Sequence, residues 1–226
     1  MHDHRAALGQ ELLSAPTDVM RKYLEHFSSD AALFIDHLNV AARAWEAYSE
    51  LAVRLEDERQ ELVWSAAYLL NGINAALIST RLLLAGYIVA SGNQARHALE
   101  SLAFGVLIAY PKTGAYAQWK KGHSLEYKAL EYLSKKKNAE LCGVNQKNVD
   151  ELRAQAKWFD VFSHPSRAAL ASIWNPVEGG GWSVGSLFVE EHLPQYRQEM
   201  ANRVSLAQLL LNAIAGTHAG NAPYKS

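Results

Sequence analysis

Apolar residues recur at three- and four-residue steps along much of the chain, the spacing that places them on one face of a helix. The longest such pattern covers residues 61–110 and predicts two long core helices. The step Ala85–Gly86 separates the two helices, so we expect them to run antiparallel. Pro111 ends the second helix, because proline has no amide hydrogen and a fixed φ.

The N-terminal part of the chain predicts further helices. Residues 3–14 form a short amphipathic piece, and a helix that begins at Pro16 and Thr17 extends to about Phe27. The run Ser28–Asp30 then predicts a break, because short polar residues favour helix starts. A longer helix follows to about Glu56.

The C-terminal part adds two helices and one irregular segment. Asn148 and Glu151 resemble a capping box that opens a helix, which Pro165 ends. Residues 170–189 contain glycines between two short tryptophan-containing runs, a pattern typical of a small β-hairpin or an extended insertion. A last helix is predicted from Pro194 to about Ala215.

These patterns predict an all-α protein. We expect one helical bundle over residues 1–226, with peripheral N-terminal helices at 1–28 and a frayed tail at 219–226. The 49% of hydrophobic residues is enough for a substantial core. Residues 73–90 are long enough to cross a bilayer, but Arg81 lies within them and argues against a membrane span.

Composition limits the partners and the compartment. A formal net charge of −1 gives no general attraction to nucleic acid or to an anionic membrane. The single Cys142 excludes an intrachain disulfide, and the N-terminus lacks the charged start and apolar run of a secretion signal. We therefore expect a cytoplasmic protein without a membrane partner.

One segment departs from this neutral balance. Residues 112–137 hold seven lysines and two glutamates, with Tyr116, Trp119, Tyr127 and Tyr132 between them. This mixture is typical of a surface that follows a phosphate backbone and stacks on bases. A solvated helix with its aromatic side chains turned to the core explains the same residues. The lysines of the candidate nucleic-acid patch are Lys120, Lys121, Lys128, Lys135, Lys136 and Lys137.

The first candidate site is a charged pair in an apolar helix. Arg96 and Glu100 are four residues apart and therefore neighbours on one helix face. In a binding pocket, Arg96 would hold an anion bidentately while Glu100 holds Arg96 in position. Alternatively, the two form a structural ion pair completed by Arg81 or His97.

The second candidate site is the step before Pro165. A proline favours an extended conformation in the residue before it, which can direct the His164 imidazole into a site that Arg167 also lines. Alternatively, His164 interacts with the last carbonyl groups of a helix. No histidine follows an acidic residue by three positions, and no glycine-rich phosphate motif occurs, so we expect no metal and no cofactor.

The order of these features resembles a known group. A long apolar helix through Gly86 into Arg96 and Glu100, followed by the later His164 and Pro165, resembles a family of uncharacterised bacterial helical proteins that is similar to the HEPN-like bundles. HEPN-type proteins include metal-independent RNases, whose signature is an arginine followed by a histidine after four to six intervening residues. Arg21 and His26 have that spacing here.

The resemblance and the residues leave two functions open. The first is a non-catalytic binding protein, a homodimer, whose Arg96, Glu100, His164 and Arg167 form a pocket for an anionic ligand, a nucleotide or a partner. The second is an endoribonuclease of HEPN type, of a toxin or defence system. In that enzyme a histidine such as His26 would act as general base or acid, and an arginine would stabilise the developing charge.

Overall fold

A computed structural model of the chain describes residues 15–163, 176–177, 181–182 and 185–222. Helices dominate these residues, so the predicted all-α class is confirmed. The eight described α-helices are α1 (Thr17–Arg54), α2 (Gln60–Leu84), α3 (Ile88–Ile108), α4 (Ala115–Lys120), α5 (Ala129–Leu133), α6 (Lys136–Leu141), α7 (Gln146–Ser163) and α8 (Leu193–Asn221).

Helices α2 and α3 form an antiparallel pair at the centre of the bundle. The Ser65 hydroxyl donates to the Gly105 carbonyl at 2.7 Å near one end of the pair. The Ser79 hydroxyl donates to the Ser91 carbonyl at 2.8 Å near the other end. The turn between the helices requires a glycine, because Gly86 has a φ of 80° and a Cβ there would lie 2.5 Å from the Leu187 nitrogen.

Helix α1 is continuous where the sequence predicts two helices. Only Phe27 leaves helical geometry, with φ −129° and ψ 20°, so the helix bends at that point instead of ending at Ser28–Asp30. Tyr23, Phe27, Ala31 and Phe34 are buried on both sides of the bend. Burial of this face outweighs the low helix propensity of the polar residues.

Helix α8 runs in the same direction as α1 and α3. The Tyr23 ring lies 4.9 Å from the Tyr196 ring, and further along both helices the Tyr48 ring lies 6.5 Å from the His218 ring. Helix α8 continues past the predicted end near Ala215 to Asn221, which is buried. Helices α1, α2, α3 and α8 therefore enclose the main core.

Helix α7 packs on the outer side of α3, and α4, α5 and α6 lie between those two helices in the sequence. The backbone N–H of Asn148 donates to the Asn145 side chain at 2.9 Å, so Asn145 caps α7 and the predicted capping box at Asn148 is wrong.

Part of the predicted insertion lies within the described residues. Strand β1 (Pro176–Val177) pairs antiparallel with β2 (Gly181–Trp182). Since residues 164–175, 178–180 and 183–184 lie outside the described residues, a hairpin or extended insertion over 170–189 stays a prediction. The amphipathic piece at 3–14 also lies outside them.

Among the described residues, α2 has the length and apolar composition that could cross a membrane. Half of its most apolar stretch is buried inside the bundle, and a core helix can have the same length and apolar composition.

Candidate ligand groove between helices α2 and α3

Arg96 and Glu100 form the ion pair that their spacing predicts, and a third charge joins them. The Arg96 Nε donates to Glu100 Oε1 at 2.8 Å, and Nη1 donates to a carboxylate oxygen of Asp160 on α7. The same Nη1 donates to the Ala156 carbonyl at 3.2 Å. Arg96 therefore connects α3 with α7 while its side chain remains 22% exposed.

From the sequence, Arg81 or His97 was expected to complete the Arg96–Glu100 ion pair, whereas in the structure Asp160 completes it. His97 instead accepts a hydrogen bond from the Asn71 side-chain nitrogen, with 2.9 Å between that nitrogen and Nε2. Arg81 is exposed and forms no ion pair with any described residue.

A polar groove of about 320 Å³ opens beside Glu100. It lies where the middle of α2 meets α3 and the segment before α5. The Asn71 nitrogen also donates to the Ser101 hydroxyl at 2.9 Å, which links the two helices along the groove. The lining residues are Tyr68, His97, Glu100, Ser101, Ser124, Glu126 and Tyr127.

Glu126 brings a second carboxylate to the groove. Its Oε1 accepts hydrogen bonds from the Trp119 indole at 2.7 Å and from the Tyr68 hydroxyl at 3.4 Å. Its Oε2 is buried and has no hydrogen-bond partner among the described residues. Burial and the negative charge of Glu126 raise the pKa of Tyr68, so Tyr68 remains a protonated donor at neutral pH.

Two candidate residues of the sequence analysis, His164 and Arg167, lie outside the described residues. Whether they share a site with Arg96 stays a prediction.

The Arg21 and His26 side chains have separate neighbours. Arg21 is exposed, and its Nη1 lies 2.8 Å from Glu25 Oε1 and its Nη2 3.8 Å from Asp18. The His26 ring stacks on Phe188, with 5.6 Å between the ring centroids. Five residues correspond to about 140° of rotation around a helix, so the two side chains leave α1 in different directions.

The six lysines of the candidate nucleic-acid patch are all exposed. Three of the four aromatic residues between them, Tyr116, Trp119 and Tyr132, are partly buried against the main core. Tyr127 is 78% exposed and is available for stacking. The segment therefore has the charge of a nucleic-acid surface and, apart from Tyr127, aromatic residues that pack on the protein.

A buried ion pair, which the sequence analysis missed, lies deeper in the bundle. Arg203 Nη1 donates to Glu199 Oε2 at 3.0 Å, and Nη2 donates to the Ser91 hydroxyl at 2.7 Å. The Trp158 indole donates to Glu199 Oε1 at 2.7 Å. Burial lowers the pKa of Arg203 and the neighbouring Glu199 charge opposes that effect. The sequence signal was the four-residue spacing of Glu199 and Arg203.

No group of three or more potential metal ligands occurs among the described residues. Cys142 is buried, and burial raises the pKa of its thiol to about 12. It is therefore protonated at neutral pH and is not an activated nucleophile.

The chain matches no protein-family model, no curated protein and no solved structure.

Proposed function

We propose that this protein is a non-catalytic binding protein and that its ligand site is the polar groove between α2 and α3. The ligand is a small molecule or a partner side chain that presents a positively charged N–H group. The observation that carries the proposal is the second carboxylate: Glu126 lines the groove and forms no ion pair with a described cation.

The groove is organised to accept hydrogen bonds. Arg96 holds Glu100 through its Nε, so the carboxylate that lines the groove has a fixed position. Trp119 and Tyr68 hold Glu126 in the same way. A charged N–H donor would gain a charge-assisted hydrogen bond to the Glu100 carboxylate, worth roughly 1.5–3 kcal/mol, and the nearby negative charge of Glu126 would attract the same donor.

The aromatic residues of the groove favour the same ligand charge. The ring of Tyr127 is exposed, and Tyr68 lines the same groove. An ammonium or guanidinium group over such a ring gains about 0.5–1 kcal/mol at an exposed site.

The sequence favoured an anionic ligand because it took Arg96 as the recognising group. An anion at Arg96 would compete with Glu100 and Asp160 for the same guanidinium, and the groove carboxylates would repel it. The geometry therefore supports a cationic ligand better, and Arg96 acts as a positioning residue.

Putrescine, as a cation, and inorganic phosphate, as an anion, test which ligand charge the groove binds. Amide resonances of residues that line the groove should shift in a ¹⁵N NMR titration with putrescine and stay unchanged with phosphate. Glu126→Gln keeps the shape and the hydrogen-bond acceptor for Trp119 but removes the charge, so it should weaken putrescine binding by about tenfold or more.

Glu140→Gln is the matched control, because Glu140 is 66% exposed on α6 and pairs with Lys136 outside the groove. It should bind putrescine as the wild type does. Putrescine shifts that are absent, or that are equally strong in Glu126→Gln, would overturn the proposal. Phosphate shifts around Arg96 would replace it with the anionic ligand that the sequence favoured.

An endoribonuclease of HEPN type is the second candidate, and the exposure of all six patch lysines favours it. In that case the lysines would hold RNA, while Arg21 and His26 supply the chemistry. This function stays a prediction of the resemblance.

A further inference from the structure

The outer face of α2 carries a regular exposed stripe of three apolar and two polar residues, which no other described helix covers. Its residues alternate at steps of three and four, which is the spacing of a coiled-coil seam. Leu70 is 42% exposed and Leu77 is 50% exposed, and Ile78 beside them is 39% exposed. The stripe consists of Ala67, Leu70, Asn74, Leu77 and Arg81.

The stripe is complementary to a second copy of itself. If two α2 helices pack antiparallel about a two-fold axis at Asn74, Leu70 of each copy meets Leu77 of the other. Ala67 then lies opposite Arg81. A two-fold axis brings Asn74 against its own copy, and an amide side chain can both donate and accept a hydrogen bond. A single asparagine in an apolar seam also fixes the register of the helices.

The charges at the two ends of the stripe are complementary as well. Arg81 marks one end and has no ion-pair partner among the described residues. Near the other end, the Trp45 indole of α1 donates to the Ala66 carbonyl at 2.7 Å, so the adjacent Glu46 lies at the level of Ala66 along α2. Glu46 is exposed and also forms no ion pair with a described residue.

In the antiparallel dimer, Arg81 of each copy lies opposite Ala67 and Glu46 of the other copy. The dimer therefore contains two Arg81–Glu46 pairs. The stripe from Ala67 to Arg81 extends over about 21 Å of the helix axis.

We infer that a second copy of this chain docks on the outer face of α2, with Asn74 at the two-fold axis and reciprocal Arg81–Glu46 pairs at the ends. The sequence predicts a homodimer, and the structure adds the surface and the register. The groove beside α3 plays no part in this interface, so a failure of either proposal leaves the other standing.

Sedimentation velocity over a wide concentration range tests the interface. The wild type should be a dimer, and Leu77→Glu should be a monomer with the same helical content by circular dichroism. Leu33→Glu is the matched control, because Leu33 is 45% exposed on α1 outside the stripe. It should remain a dimer.

Charge reversal tests the register. Arg81→Glu and Glu46→Arg should each raise the dimer Kd by about tenfold or more, because each puts like charges opposite one another twice. The double variant should restore the wild-type Kd. A wild type that stays monomeric, a Leu77→Glu variant that dimerises normally, or a double variant without rescue would overturn the inference.

Discussion

Replacement of Arg203 by methionine should be among the most destabilising single substitutions in this bundle. Arg203 is fully buried, and Glu199 beside it is 3% exposed. The Arg203 guanidinium also lies over the Phe159 ring, with 4.6 Å between Cζ and the ring centroid. Through Ser91, Glu199 and Phe159, this one side chain joins α3, α8 and α7.

The size of the expected loss of stability follows from the Glu199 charge that remains in the core. Methionine has a similar length, so Arg203→Met leaves only a small cavity, but it strands the Glu199 carboxylate in the core. Breaking a buried pair in this way costs about 3–5 kcal/mol. A domain has a free energy of unfolding of about 5–15 kcal/mol, so the loss is a large part of the total.

A second substitution should recover much of that loss. Glu199→Gln removes the stranded charge and keeps an acceptor for the Trp158 indole. We therefore expect Arg203→Met combined with Glu199→Gln to be about 2 kcal/mol more stable than Arg203→Met alone. The gain is smaller than the initial loss, because the amide leaves donors without partners.

Urea unfolding followed by circular dichroism measures these differences. Arg197→Met is the control, because Arg197 is exposed on the same helix, and it should change the free energy of unfolding by about 0.5 kcal/mol or less. An Arg203→Met variant that costs no more than this control would show that no charge is stranded in the core. Effects of Arg203→Met and Glu199→Gln that simply add would show that the two residues do not act as a pair.

Two further predictions concern candidate chemistry. Since burial raises the pKa of Cys142 to about 12, the thiol of the native protein should not react with an aromatic disulfide reagent at neutral pH, whereas the urea-unfolded protein should react fully; rapid labelling of the native protein would contradict this. Total RNA incubated with the wild type in EDTA should remain intact. Cleavage that both Arg21→Ala and His26→Ala abolish would establish the endoribonuclease instead.

The parts of the fold that depend on local pattern could be predicted from the sequence. The apolar period and the step at Ala85–Gly86 predict α2, α3 and the turn between them, because glycine adopts the positive φ that this turn needs. The bend at Phe27 lies one residue before the predicted break. Helix α1 continues through this point because its long apolar face is buried. Burial of that kind cannot be read directly from the sequence.

The candidate sites depended on contacts between distant residues. Arg96 and Glu100 were found by spacing, but Asp160 comes from a helix that crosses α3 only in the folded chain. Two pairs with the same four-residue spacing also have opposite environments. Arg96, in the apolar helix, remains 22% exposed, whereas Arg203, among polar neighbours in sequence, is fully buried. The four-residue spacing predicts that such an ion pair forms, but it does not predict how deeply the pair is buried.

The shared direction of α3 and α8 has a consequence for synthesis on the ribosome. Because both helices run the same way, residues 109–192 must bring the chain back along the bundle before α8 can dock. Until α8 emerges, the nascent protein displays the apolar surface that α8 later covers, including Tyr23 and Tyr48 of α1. A chain truncated before α8 keeps that surface exposed, which marks it for chaperones and proteases as an incomplete product.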